Sequence, residues 1–277
     1  MEKRLERMTE KKMKRVISDE IDNIPVRRES ARKYIGASGI GSECDAEIAF
    51  GLRGFPNNSI SPSLNRIFQE GHRKEPQIIK TIRDAGFHVN DKNNFGRQHR
   101  FSIFNDHIVG NADGLIEING KPYILEIKTM NDNSFKSFVR LGLEYSHKKY
   151  YAQVQMLMNL SGMDNAILVA QNKNNQEFHD EIIERDEHFI IHMMMRIDRI
   201  LRNDVTKRSV DESDFVCRSC FKADVCWQGV LPETECATCM HSEANDEVKW
   251  YCNKHDKEAI DVCEDYEVYH PKSRVLG

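Results

Sequence analysis

Apolar and polar positions along this chain repeat with two different periods, and the changes between them outline its elements. Over residues 1–20, charges of both signs surround a thin apolar stripe (Leu5, Met8, Val16, Ile17), which predicts a helical arm. Residues 37–63 begin with Ser and Gly, pass through a short helix around Cys44 and end in a Pro/Asn/Ser loop. Residues 63–85 carry Ile67, Gly71, Glu75, Ile78 and Ile82 at three-to-four spacing, a helix opened by Pro62-Ser63 and closed by Gly86. Period two then predicts strands near 97–104, 107–118 and 121–129, with a shorter one near 86–90. Residues 133–142 and 145–161 read as helices, 166–171 and 177–184 as strands, and 186–204 as a helix with a Met-rich face. Beyond about residue 209 periodicity fades and cysteines take over. The expected class is α/β, a central mixed β-sheet flanked by helices and followed by a cysteine-rich, metal-binding module. The expected boundaries are an arm over 1–36, a core over 37–208 and the cysteine-rich region over 209–277.

The stretch GNADGLIEINGKPYILEIKTM, residues 110–130, has chemistry in it. Asn119-Gly120 is a preferred pair for a two-residue hairpin loop, because both positions need φ > 0. That loop pairs Ile118 with Lys121. Counted outward without a bulge, Asp113 faces Glu126 and Asn111 faces Lys128. Facing residues have Cβ atoms about 4.5–5.5 Å apart. Glu126 and Lys128 share a face, since strand side chains alternate. Ile116, Tyr123, Leu125 and Ile127 form the opposite, core face. Two carboxylates this close repel unless a proton or a cation intervenes, and a hard divalent ion is the natural partner. A surface hairpin with a cross-strand charge cluster is the plainer alternative, weakened by the like-charged facing pair.

Two helices add to the set. Glu75 is a carboxylate on a core-facing stripe, one turn after a glycine that permits close approach, and reads as a third acid aimed at the same ion. His72, three residues earlier, can share its side of the helix. Pro76 removes an amide bond and is expected to kink the helix. In YYAQVQMLMNL, residues 150–160, Gln153 sits on the stripe of Leu157 and Leu160. A buried amide needs partners, and this one could orient metal, substrate or the hairpin.

Composition changes the picture in three ways. The 277 residues are 39% hydrophobic, enough for a core, and no apolar run is long enough to span a bilayer. The charged N-terminus lacks an apolar signal core, so a cytoplasmic chain is expected. Net charge is −4, which does not advertise a nucleic-acid binder, although a groove can be locally basic. Lys136, Arg140, Lys148 and Lys149 are the expected phosphate contacts.

The 8 cysteines suggest metal ligands rather than disulfides. Cys217, Cys220 and Cys226 form a compact triplet that needs a fourth ligand, and Cys44 is the cysteine left. One distant and three clustered thiolates suit a 4Fe-4S cluster, with Zn²⁺ as the alternative. Cys236, Cys239, Cys252 and Cys263 suit a tetrahedral structural Zn²⁺. His241, His255 and His270 stand near as substitutes.

Together these residues resemble the PD-(D/E)xK nuclease superfamily, in its RecB-like exonuclease branch. The pattern here is Gly71-His72…Glu75, then Gly110-Asn111-Ala112-Asp113-Gly114, then Glu126-Ile127-Lys128-Thr129, then Tyr151-Ala152-Gln153-Val154-Gln155. Ala112 stands where the family name has proline. The upstream cysteine with its C-terminal triplet is similar to the iron–sulfur nucleases of that branch, AddB and CRISPR-associated exonucleases among them. Phage-encoded exonuclease-like proteins resemble the chain in GASGIGSEC, EGHRKE, EIKT, YYAQVQ and the CATCMH…WYC element, over nearly all of residues 36–263.

The resemblance implies a restriction-endonuclease-like core and a metal-dependent DNA exonuclease of phage or mobile-element recombination and replication. By it, Asp113 and Glu126 bind Mg²⁺ or Mn²⁺, with Glu75, His72 and the Ile127 carbonyl. Lys128 positions or activates the attacking water, and Gln153 supports substrate or metal. DNA is the implied substrate, with a recombinase or helicase as a further partner and no membrane. The same chemistry serves a structure-selective endonuclease of resolvase or flap type. A non-catalytic DNA-binding assembly module is the reading from another class.

Overall fold

The computed structural model describes residues 16–26, 31–209 and 211–272. In chain order the helices are α1 (Val16–Asp22), α2 (Asp45–Leu52), α3 (Pro62–Asp84), α4 (Asp132–Ser146), α5 (Lys148–Ser161), α6 (Glu187–Leu201), α7 (Phe215–Arg218) and α8 (Ala223–Trp227). The strands are β1 (Ile35–Gly36), β2 (Val89–Asn90), β3 (His99–Ile103), β4 (Ile108–Ala112), β5 (Gly114–Ile118) and β6 (Lys121–Met130). They continue with β7 (Asn165–Asn172), β8 (Phe178–Glu184), β9 (Ser242–Ala244), β10 (Trp250–Cys252) and β11 (Lys257–Glu258). Residues 1–15 and 27–30 of the expected N-terminal arm lie outside the described residues.

A mixed sheet of order β2-β5-β6-β7-β8 forms the centre. Asn119 (φ 52°) and Gly120 (φ 77°) make the tight β5–β6 turn, and Ile118 pairs with Lys121. Strand β7 lies parallel to β6, which requires a crossover; α4 and α5 supply it. Both faces of the sheet are covered. On one, Ile78 and Ile79 of α3 pack on Ile116, Tyr123, Leu125, Ile127, Ile167 and Val169. On the other, Ile124, Ala166, Leu168 and Ala170 join a larger core with Val154 and Leu157 of α5.

The expected strand 107–118 is broken. It divides at Asp113 into β4 and β5, which belong to different sheets. Strand β4 pairs with β3, so Asn111 lies opposite Arg100 and not Lys128. Close packing explains the departure of β4. A Cβ on Gly110 would lie 2.7 Å from Leu157 Cδ2, so this strand runs hard against α5 instead of extending the hairpin. Gly41 makes a similar approach, where a Cβ would stand 2.6 Å from Lys149 Cα at the start of α5.

Ser61 caps α3, accepting the Leu64 N–H at 3.2 Å, and the helix continues through Pro76. The apolar stripe read along α3 is buried only in its C-terminal half. Ile78 is 1% exposed, whereas Ile67 is 52% exposed. Gly142 (φ 72°) kinks α4, and Glu181 Oε2 accepts the Leu143 N–H at 2.9 Å beyond the kink.

The C-terminal segment joins the main core through Ala237, Ala244, Trp250 and Tyr269. Arg53 is its anchor. The guanidinium is 1% exposed and donates to the carbonyls of Ala237 (2.7 Å), Cys239 (2.9 Å) and Ser242 (2.6 Å). It also lies 4.1 Å from the Tyr269 ring centroid and 5.1 Å from that of Trp250. With carbonyls and π-faces for partners in place of a carboxylate, burial lowers its pKa to about 10. No helix among the described residues is long and apolar enough to cross a membrane.

Candidate active site

The division at Asp113 shapes the site. Asp113 leaves the ladder between β4 and β5, and its Oδ2 accepts the Ile127 N–H at 2.8 Å. The carboxylate thus reaches the middle of β6 by a backbone contact, not by facing Glu126 in register. Glu126 points to the opposite side of β6 from Ile127 and is 2% exposed. Its Oε1 accepts from Lys128 Nζ at 2.5 Å and from Gln153 Nε2 at 2.7 Å. Its Oε2 is buried with no partner. Such an orphaned carboxylate oxygen is expensive to bury. A cation would satisfy it, so this donor set fits a divalent ion.

Electrostatics tie the acids together. Burial first, then the charges of Glu126 and Glu75, push the Asp113 carboxyl well above its usual range. Burial alone would lower Lys128, but the Glu126 carboxylate beside it prevails, and the ammonium is held above its usual value. Lys128 Nζ also lies 4.9 Å from the Tyr150 ring centroid, and the His147 ring stacks on Tyr150 at 5.4 Å.

Glu75 on α3 is half-buried, and Gln98 Nε2 donates to its Oε1 at 3.4 Å. His72 is exposed. Among the described residues, the one trio of His, Cys, Asp or Glu whose ligand atoms all lie within 4.8 Å is His255, Cys263 and Asp265. Glu75, Asp113 and Glu126 are therefore more widely spread. Oxygens around Mg²⁺ at about 2.1 Å stand at most about 4.2 Å apart, so the three are not drawn up as joint direct ligands of one ion.

Cys44, Cys217, Cys220 and Cys226 line one small cavity with Glu47, Lys207 and Trp227. Burial pushes the Cys226 thiol up to about 11, with Lys207 opposing and Cys44 and Cys217 adding. Cys236, Cys239, Cys252 and Cys263 line a second cavity of about 380 Å³, together with His255. There His255 Nε2 stands 3.5 Å from Cys263 Sγ and 3.1 Å from Asp265 Oδ2. His241 is turned instead to Glu267, at 3.3 Å. Tetrahedral zinc spaces its sulfurs about 3.8 Å apart, and neither cysteine set is drawn in that tightly.

Two residues of the site were not singled out from sequence. Tyr150 lies three positions before Gln153, a spacing that places both on one helix face, so the pattern could have found it. Gln98 comes from a loop far from Glu75 in sequence, and no periodicity marks it.

No protein-family model matches the chain, and no curated protein matches it. Solved structures offer distant similarities. An alkaline exonuclease from Laribacter hongkongensis is 18% identical with a TM-score of 0.47, over 62% of this chain and 88% of that one. A phage-related exonuclease from Haemophilus somnus 129PT is also 18% identical, with a TM-score of 0.47, over 64% of this chain and 93% of that one. The functional reading rests on the site's own geometry.

Proposed function

We propose that the chain is a divalent-metal-dependent DNA exonuclease of phage or mobile-element recombination and replication. One observation carries this reading. Glu126 is buried with one oxygen fixed by Lys128 and Gln153 and the other without a partner, while Asp113 is held one residue away by the Ile127 amide.

Asp113 and Glu126 would hold Mg²⁺ or Mn²⁺ with the Ile127 carbonyl, and Glu75 and His72 would assist from farther out, through water. Such an ion, when bound, polarises a phosphoryl oxygen. The chain's own residues do the rest. Lys128 keeps its charge between Glu126 and the Tyr150 face, and can stabilise negative charge developing on a phosphate. Gln153 fixes the orientation of Glu126. Cys44, Cys217, Cys220 and Cys226 around the first cavity would hold a 4Fe-4S cluster, with Zn²⁺ as its alternative, and Cys236, Cys239, Cys252 and Cys263 would have to close in to hold a structural Zn²⁺. DNA is the substrate, a recombinase or helicase the further partner, and the cytoplasm the place of action.

The test is degradation of end-labelled linear DNA with Mg²⁺ or Mn²⁺. Asp113→Ala and Lys128→Ala should abolish it, and covalently closed circles should survive. Variants that digest DNA as fast as the parent overturn the site. Cleavage of closed circles favours the endonuclease. Iron and zinc measured on the same preparation decide the first cysteine site: brown, iron-containing protein that loses colour in Cys44→Ala supports the cluster, and colourless protein with zinc at both sites excludes it.

A further inference from the structure

Phe95 is the most exposed large apolar side chain among the described residues, at 85%. It stands at the tip of a loop between β2 and β3, and the loop is built to keep it there. Asn93 is the hub. Its Oδ1 accepts the N–H groups of Phe95 (2.9 Å) and Arg97 (3.1 Å), and its N–H donates to the Arg97 carbonyl at 2.7 Å. Gly96, at φ +72°, closes the turn by donating to the Asn93 carbonyl at 2.9 Å.

Both ends of the loop are clamped. Arg83 of α3 donates to the Val89 carbonyl at 2.8 Å and to Asp91 Oδ1 at 2.6 Å. On the far side, His99 Nε2 lies 3.1 Å from the Asn90 carbonyl. An exposed phenyl ring in a loop held this way loses little conformational freedom when something lands on it.

The position of the loop says what that partner is. Gln98, three residues after Phe95, donates to Glu75 Oε1 at 3.4 Å. Three residues span roughly 10 Å at most between Cα atoms, so the tip of the loop stands within a few nucleotides' reach of Glu75. The surroundings are basic. Lys92 and Arg97 are exposed beside Phe95, and the acid of the stretch, Asp91, is already taken by Arg83, while Arg100 is paired with Asp106 at 3.1 Å. A flat apolar ring flanked by cations is the combination that binds unpaired nucleotides. The cations attract the phosphates, and every base offers a π-face to the ring.

We propose that Phe95 is a base-stacking contact, which receives an unpaired nucleotide at the DNA end being hydrolysed. This rests on the nuclease reading and deepens it, since it names the substrate class as an end with unstacked bases. Phe95 touches the substrate away from the reacting atoms, so it acts on binding and not on the chemical step.

The experiment measures kcat and KM of wild type, Phe95→Ala and Phe95→Trp on single-stranded oligonucleotides and on blunt duplexes. Loss of one base–aromatic stack is expected to raise KM of Phe95→Ala by roughly 5- to 150-fold. Its kcat should hold, and Phe95→Trp should keep the wild-type KM. The second readout is 2-aminopurine near the end of a single strand, bound to Asp113→Asn protein so that nothing is cut. Its fluorescence should be quenched there, and less so once Phe95→Ala is added. An active wild type with unchanged KM and quenching in Phe95→Ala overturns the stacking proposal and leaves the nuclease reading standing. A fall in kcat alone, equal on both substrates, also overturns it. A wild type inert on every DNA substrate with either metal overturns the nuclease reading and the stacking with it.

Discussion

Gln153 Nε2 and Lys128 Nζ both donate to one oxygen of Glu126, at 2.7 Å and 2.5 Å, so the carboxylate is locked by two donors on one side and open on the other. A donor from α5 thereby fixes which oxygen of a strand residue is left for a ligand. Gln153→Ala frees the carboxylate to turn. Outer-shell partners of this kind are worth about 10- to 100-fold in metal affinity or activity. The expected outcome is a loss of that size in Mn²⁺ affinity by calorimetry, with a parallel loss of nuclease activity. Unchanged affinity would show that Gln153 is only a packed core amide.

Carboxylates gathered without a cation repel one another. Asp113 feels the charges of Glu126 and Glu75, and the Oε2 of Glu126 is buried without a partner. Removing a carboxylate charge relieves repulsion in the free protein. Asp113→Asn should therefore abolish hydrolysis and yet raise the thermal midpoint of metal-free protein. Relief of about 1 kcal/mol corresponds to roughly 2–4 °C for a chain of this size class. Saturating Mg²⁺ or Mn²⁺ should raise the midpoint of wild type, by preferential binding to the native state, and leave Asp113→Asn nearly unmoved. Differential scanning calorimetry with and without metal reads both effects. A variant that is both inactive and less stable than wild type without metal would contradict the account.

Arg53 bridges segments far apart in sequence, with donors on the carbonyls of Ala237, Cys239 and Ser242. A methionine there fills similar space but strands the Ala237 carbonyl, while the Cys239 carbonyl keeps the Ser242 N–H and hydroxyl and the Ser242 carbonyl keeps Asn203 Nδ2. At about 1–3 kcal/mol for a stranded buried group, Arg53→Met should cost about 1–3 kcal/mol. The loss should appear first as protease cleavage within residues 205–250, before the central sheet gives way. Protection there equal to that of wild type would mean the segment is held by other contacts.

The hairpin was legible because a short loop with strong φ demands sets its own register, and Ile118 pairs with Lys121 as the Asn119-Gly120 turn requires. The core face of Ile116, Tyr123, Leu125 and Ile127 was also legible, because strand alternation puts these residues on one side. What misled was the run of apolar and small residues from Ile108 to Ile118. Period two continues through Asp113, but the chain changes sheets there, and only the close approach of Gly110 to Leu157 shows why. Arg53 gave no signal, since a lone arginine after a helix normally faces water. Its burial depends on carbonyls that the chain supplies nearly two hundred residues later. The spread of Glu75, Asp113 and Glu126 was likewise invisible, because helix spacing gives a face and not a distance.

His107 provides the pH dependence. It is fully buried, its Nε2 meets the Lys249 carbonyl and its Nδ1 has no partner. Trp250 packs edge-on against the ring at 5.0 Å. Burial holds its pKa below the usual value, the charges of Lys249 and Arg53 push the same way, and the Lys249 carbonyl and Asp106 oppose them. The imidazole is thus neutral in the fold and takes up its proton near pH 6.5 once unfolded. The unfolded state then binds more protons as pH falls, so stability from this group is complete above about 6.5 and declines below it, until the folded pKa is passed. The limiting slope for one proton is about 1.4 kcal/mol per pH unit. His147, also lowered by burial, acts in the same direction. His107→Gln keeps an amide donor for the Lys249 carbonyl and cannot titrate. Urea midpoints at pH 7.5 and 5.5 should therefore differ by less in His107→Gln than in wild type, by up to about 1 kcal/mol after conversion through the m-value. An equal pH difference in the two proteins would place the acid sensitivity elsewhere.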